Sequence, residues 1–174
     1  MPTDGHITSF RQNLPVISDS QSILNSFRYR AYHSFSENLV GAFKIYGAAV
    51  NAIGDEDVRL SKRLQLGRTY LRGFESGRIG PVDGGDYIGG NHTAVINAST
   101  TLPDFGANLE KVDFQFFVDA ANVWGVDYDS SLDNSTLRSS TGLSVDWYTP
   151  IGPLNFSFAQ PISKASSDKT ETFR

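Results

Sequence analysis

The chain has 174 residues, a mass of 19.1 kDa and a formal net charge of -4, enough length for one core and the wrong sign for a general nucleic-acid binder. It contains no cysteine, which excludes disulfide scaffolds, thiolate metal sites and cysteine nucleophiles. No stretch approaches the ~20 apolar residues of a membrane helix, and the opening MPTDGHITSF lacks the regions of a signal peptide, whereas a membrane β-barrel stays open because its alternating strands leave little hydropathy signal.

Twelve Phe and seven Tyr against one Met favour strands over helices, and the chain yields seven strand candidates. HITSFRQNLP comes first. SILNSFRYRAYHSF follows, with Phe27, Tyr29 and Ala31 on one side and Ser26, Arg28, Arg30 and Tyr32 on the other. NLVGAFKIYGAAV sets Leu39, Gly41, Phe43 and Ile45 against Val40, Ala42, Lys44 and Tyr46. After a long polar connection, Ile53 to Asn91, comes HTAVINASTTLP. In KVDFQFFVDAANVW, Phe114, Phe116 and Val118 share one face, while Gln115, Phe117, Asp119 and Ala121 share the other. STGLSVDWYTP alternates Leu143, Val145 and Trp147 with Ser144, Asp146 and Tyr148. GPLNFSFAQP closes the series across a tight Pro150 to Pro153 turn, alternating Leu154, Phe156 and Phe158 with Asn155, Ser157 and Ala159.

Several of these candidates reach about ten residues, the length of a membrane-barrel strand. Connections at Leu14 to Gln21, Phe35 to Asn38 and Pro150 to Pro153 are short, that at Leu102 to Glu110 is intermediate, and those at Ile53 to Asn91 and Trp124 to Leu137 are long. Two architectures satisfy the pattern. A sandwich would bury the aromatic face and wet the charged one; a barrel would turn the aromatic face to lipid and the face with Arg28, Arg30, Lys44, Asp119 and Asp146 to a wet lumen. Trp124, Trp147 and Tyr148 fall near strand ends, where an aromatic girdle belongs.

Other chemistry finds little support. GGDYIGG is not followed by the GK(S/T) of a phosphate loop. Asp127, Asp129 and Asp133 echo a calcium loop, but the twelfth position holds Arg138 where a bidentate acid is needed. His6, His33 and His92 lie on different strands without carboxylate clustering, so no metal site is expected. No GxSxG occurs, and neither a catalytic residue nor a cofactor is expected. Asn91, Asn97, Asn134 and Asn155 match the N-x-(S/T) pattern, common by chance in such strands.

The segment TYLRGFESGRIGPVDGGDYIGGN, Thr69 to Asn91, carries seven glycines within a connection too long to lack a purpose unless disordered. Its Leu71-Arg72-Gly73-Phe74, Gly80-Pro81 and Gly89-Gly90-Asn91 elements resemble the large loop of the Omp85 superfamily, the bacterial surface antigen D15 family. FFVDAANVWG and the W-x-(S/T)-P-x-GPL run from Trp147 to Leu154 are similar to the strands that follow. The resemblance covers about two thirds of the chain strongly and the first 50 residues more loosely. One departure stands at Ala121, where the family often has glycine.

The resemblance implies an all-β antiparallel transmembrane barrel, of which residues 1–174 would supply about seven strands of about sixteen. The first barrel strands, most of the last strand and the periplasmic POTRA domains are expected outside the segment. The loop is expected to tuck into the lumen. Arg72 would reach Asp119, with Asp146 and Tyr148 as further contacts, and Phe74 would pack on lumen residues such as Phe117. Gly73, Gly84, Gly85, Gly89 and Gly90 would allow the reversals. The implied function is a non-enzymatic outer-membrane protein assembly factor, an insertase for nascent β-barrel clients. Its implied partners are outer-membrane lipid and accessory lipoproteins reached through the periplasmic domains. A secretion transporter of the same superfamily is the alternative, and a soluble ligand-binding barrel or sandwich a more distant one.

Overall fold

A computed structural model of the chain describes residues 3–15, 21–36, 39–102 and 112–174. The middles of the connections expected at Leu14 to Gln21 and Leu102 to Glu110, and part of that at Phe35 to Asn38, lie outside them. Nine strands are described: β1 (Gly5–Asn13), β2 (Ser22–Ser36), β3 (Leu39–Ala52), β4 (Val82–Asp83), β5 (Asp86–Tyr87), β6 (His92–Thr101), β7 (Val112–Trp124), β8 (Arg138–Thr149) and β9 (Gly152–Ser163). Seven form one antiparallel sheet in the order β1-β2-β3-β6-β7-β8-β9, each beside its neighbour in sequence. The remaining two, β4 and β5, make a small hairpin within the 53–91 connection.

The alternation read from sequence fixes which side chains share a face. One row runs through the cross-strand partners Phe43, Ala98, Val118 and Thr141, and another through Phe116, Leu143 and Phe158. These outward rows are open: Phe116 is 42% exposed and Phe158 55%. No second sheet covers them among the described residues, so the aromatic face is not sealed as a sandwich would require. The opposite face carries the row Arg30, Lys44, Asn97, Asp119 and Ser140, again in register across β2, β3, β6, β7 and β8.

On the outward face, Trp147 sits opposite Val112 at one end of β7 and Trp124 stands at the other end, packed against His92 with ring centroids 5.8 Å apart. Twelve residue steps of strand span about 40 Å. A tilt of roughly 40° reduces that to about 30 Å, the thickness of a hydrocarbon core. Connections 53–91 and 125–137 leave the sheet at the Trp124 end, and the Pro150-Ile151 turn lies at the Trp147 end.

The long connection lies across the inward face. Leu66, Leu71, Phe74 and Ile79 from the connection pack with Val95 of β6 and with Ala121 and Val123 of β7 in a buried apolar cluster, joined at its margin by Tyr46 and Tyr70. Each large side chain so buried contributes roughly 1.5–3 kcal/mol. The methyl of Ala121, where the family often has glycine, is itself 1% exposed within this cluster. Beyond β9 the chain turns at Ala165–Asp168, and residues 172–174 hydrogen-bond back to Ser157 and Ala159.

Candidate functional site

The inserted loop is held by a cation on a fully buried acid. Arg72 Nε and Nη2 each lie 2.7 Å from one oxygen of Asp119, and the Arg72 backbone N–H donates to the same carboxylate at 3.2 Å. Asn97 adds a fourth donor at 2.8 Å and spends its other amide hydrogen on the Tyr70 carbonyl. Two parallel N–H···O bonds set angle as well as distance, which a lysine could not do. The guanidinium carbon lies 3.5 Å from the centroid of the Phe117 ring, and the Ser140 hydroxyl donates to the Arg72 carbonyl at 2.5 Å. Arg72 is therefore fixed from below by an aromatic face and at its edge by a carboxylate.

Gly73 makes the next reversal possible. Its φ of +87° lies in the left-handed region, and a Cβ there would stand 3.1 Å from the Ala159 methyl. The turn sends Phe74 away from Phe117 into the cluster with Leu66, Leu71, Ile79, Val95, Ala121 and Val123. The expected Phe74 to Phe117 packing is thus corrected: Phe117 serves Arg72. Gly80 and Pro81 are buried, and a Cβ at Gly80 would stand 3.1 Å from Val123. Gly84 and Gly85 turn the β4–β5 hairpin. Gly89 and Gly90 pass against Leu64 and the Trp124 backbone, and at Gly90 a Cβ would meet the Trp124 nitrogen at 2.8 Å. Asn91 completes the return, accepting from Val50 N–H through its carbonyl and donating its side-chain amide to Asp127.

Asp146 and Tyr148 do not join the Arg72 site. Asp146 accepts from Gln115 at 2.8 Å and from Asn155, while Tyr148 is half-exposed near the far end of β8. The face is the expected one but the height is not: six residues of strand separate Asp146 from Ser140, about 20 Å. Arg28 does touch the loop, donating to the Tyr70 hydroxyl at 3.1 Å with its guanidinium over the Tyr46 ring.

Two further ion pairs have no counterpart in the sequence reading. Arg63 pairs with Asp127 and its guanidinium carbon lies 5.0 Å from the Tyr128 ring centre, which joins the 53–91 connection to the 125–137 connection. Arg138 pairs with Asp168, both side chains 0% exposed. Of the acids that echo a calcium loop, Asp127 is taken by Arg63, Val58 N–H and Asn91, and Asp133 accepts from Gly125 N–H at 2.8 Å. The inward parity of Arg138 at the head of β8 was a usable signal; Asp168, in a tail without periodicity, gave none.

Burial works against the charge of Asp127, but the hydrogen bonds from Val58 and Asn91 and the Arg63 guanidinium outweigh it and hold the carboxyl below its ordinary value. A depressed carboxyl contributes stability that is complete above its unfolded value, about 3.9, and that fades as pH falls through the lower folded value. Hydrogen exchange at the Val58 amide, taken relative to its intrinsic rate at each pH, is expected to accelerate over that acidic interval in the parent protein. In Asp127→Asn the acceleration is expected to be absent; equal pH dependence in both would contradict the assignment.

The Omp85 superfamily domain matches residues 1–174, the whole chain. The chain belongs to the Omp85 superfamily. It is 30% identical over 169 residues to the outer membrane protein assembly factor BamA of Nitratidesulfovibrio vulgaris, a match covering 92% of this chain and 20% of that protein. To BamA of Neisseria meningitidis serogroup B it is 32% identical over 132 residues, covering 60% and 17%. The crystal structure of Haemophilus ducreyi BamA lacking POTRA domains 1–3 superposes with a TM-score of 0.86 at 29% identity, covering 99% of this chain and 38% of that one. The chain thus spans about a fifth of the length of these assembly factors. With this membership the open aromatic face is the lipid-facing wall of an Omp85 barrel in the bacterial outer membrane, and the face that receives Arg72 is its interior.

Proposed function

We propose that this Omp85 chain works in a non-enzymatic insertase that folds β-barrel clients into the outer membrane. The observation that carries the reading is the inserted loop, pinned through Arg72 on Asp119, in a chain whose relatives are outer membrane protein assembly factors. A loop fixed by a bidentate ion pair and a dry cluster holds the barrel interior in one arrangement. Binding a client strand then uses backbone pairing at a sheet edge and requires neither nucleotide nor covalent chemistry. The driving free energy is the client's own burial of apolar surface in lipid and closure of its strand edges.

The test uses the full-length protein in liposomes of outer-membrane lipid, presented with a urea-unfolded barrel client. Client folding, followed by its shift in electrophoretic mobility without heating, is expected to run at least about tenfold faster than in empty liposomes. Passage of an unfolded polypeptide into the liposome interior without client folding would instead indicate the transport function of a secretion member and overturn the reading.

A further inference from the structure

The buried pair Arg138–Asp168 sits where three parts of the chain meet. Arg138, the first residue of β8, engages all three guanidinium nitrogens: Nε and Nη2 reach the two Asp168 oxygens at 2.9 and 3.1 Å, and Nη1 reaches Asn122 Oδ1 at 2.5 Å and the Thr136 carbonyl at 3.0 Å. Asp168 also accepts from Ala165 N–H at 2.6 Å, closing the turn that follows β9. From this turn the chain runs against the inserted loop. The Tyr87 hydroxyl donates to the Ser167 carbonyl, Lys169 N–H to Arg78, Glu75 N–H to Lys169 and Glu171 N–H to Gly73. Only then does it join the sheet: Ala159 N–H donates to Thr172, and Ser157 and Arg174 exchange both backbone bonds at 3.0 Å. Phe173 packs on Phe158 with ring centroids 4.6 Å apart.

We propose that Arg138 and Asp168 are positioning residues, a second latch that fixes the turn from which segment 169–174 departs and makes its pairing with β9 depend on the seated loop. Two halves of one argument lead there. A fully buried guanidinium with its acid removed has no water to turn to, so the turn has one stable position while the pair is intact. Three of the four loop hydrogen bonds then lie between that turn and the first residue paired with β9, and the fourth, from Tyr87, falls on the turn itself, so the path of the segment to the sheet in this register runs along the seated loop. Loop position and strand onset are linked reciprocally, as any two events sharing one structural intermediate must be. The consequence for assembly rests on the function proposed above: the pairing of residues 172–174 with β9 has a register set by the latch, and hence so does the edge those residues offer.

The test places cysteines at Ser157 and Arg174 in the full-length protein in membranes, a hydrogen-bonded antiparallel pair whose expected Cα separation of about 5.5 Å suits a disulfide. Yield is normalised to barrel that stays folded in detergent without heating. Arg138→Ala and Arg72→Ala are each expected to lower the yield at least about tenfold, the first by freeing the turn and the second by unseating the loop. Parental yield in both folded variants overturns the proposal. If Arg138→Ala accumulates no folded barrel, Asp168→Asn and Arg138→Lys decide, and parental yield in both again overturns it. Client folding is scored separately: a parent that cross-links as expected but folds no client sinks the insertase reading and leaves this linkage standing.

Discussion

Replacing Arg72 by alanine is expected to destabilise the loop by about 3–5 kcal/mol, because it strands a carboxylate in a buried site. Asp119 is 0% exposed, and without the guanidinium it keeps, among the described residues, Asn97 and one backbone N–H. The converse change should cost less. In Asp119→Ala the orphaned Arg72, already 20% exposed, keeps a side open to water. Arg72→Ala is therefore expected to release the loop to protease more readily than Asp119→Ala. The charge reversals Arg72→Asp and Asp119→Arg are each expected to impair client folding, and their combination to restore part of it, since the two sites remain in contact. Measuring loop cleavage and client folding on all variants decides the matter. A double reversal no better than either single one would contradict the pairing described, and equal loop release from the two alanine variants would contradict the unequal cost.

Gly142→Ala is the second change with a large expected effect, and it acts from beneath the same site. Gly142 lies opposite Phe117 on β7 and Ala159 on β9. An added Cβ would stand 2.8 Å from Cζ of Phe117 and 2.9 Å from Cα of Ala159. The second of these is backbone and cannot yield without parting two strands. Overpacking of this kind costs about 1–3 kcal/mol. Because Phe117 is the surface on which Arg72 rests, the cost should appear twice: as a lower unfolding temperature in detergent and as faster proteolysis of the loop. A fall in unfolding temperature with the loop as resistant as before would separate Gly142 from the Arg72 site. Phe117→Leu, which removes the aromatic face without crowding, is expected to loosen the loop with a smaller loss of stability.

The strands were legible because each repeats with period two, and the alternation assigned Asp119 and Phe117 to the face that the structure buries and Phe116 and Val118 to the face it leaves open. The glycine-rich loop was legible as a resemblance, and its arginine could be matched to an acid on that face. Height along the barrel was not legible. Period two says which side a residue occupies but not how far along the strand the loop descends, so Asp146 and Tyr148 were grouped with a site that lies several residues away along β8. Nor could the pattern tell which of two aromatic residues would meet the guanidinium, since that follows from the reversal at Gly73. Asn97 illustrates a third limit: noted only as a chance match to N-x-(S/T), it proves to be the residue bridging Tyr70 and Asp119.

The placement of the 53–91 connection also bears on permeability. Tyr70, Arg72 and Phe74 lie against the inward face, where water and ions would otherwise travel from one side of the membrane to the other. A barrel wall built this way carries its own stopper. Electrical conductance through the protein in a planar bilayer should accordingly be low at rest and rise when Arg72 loses its hold.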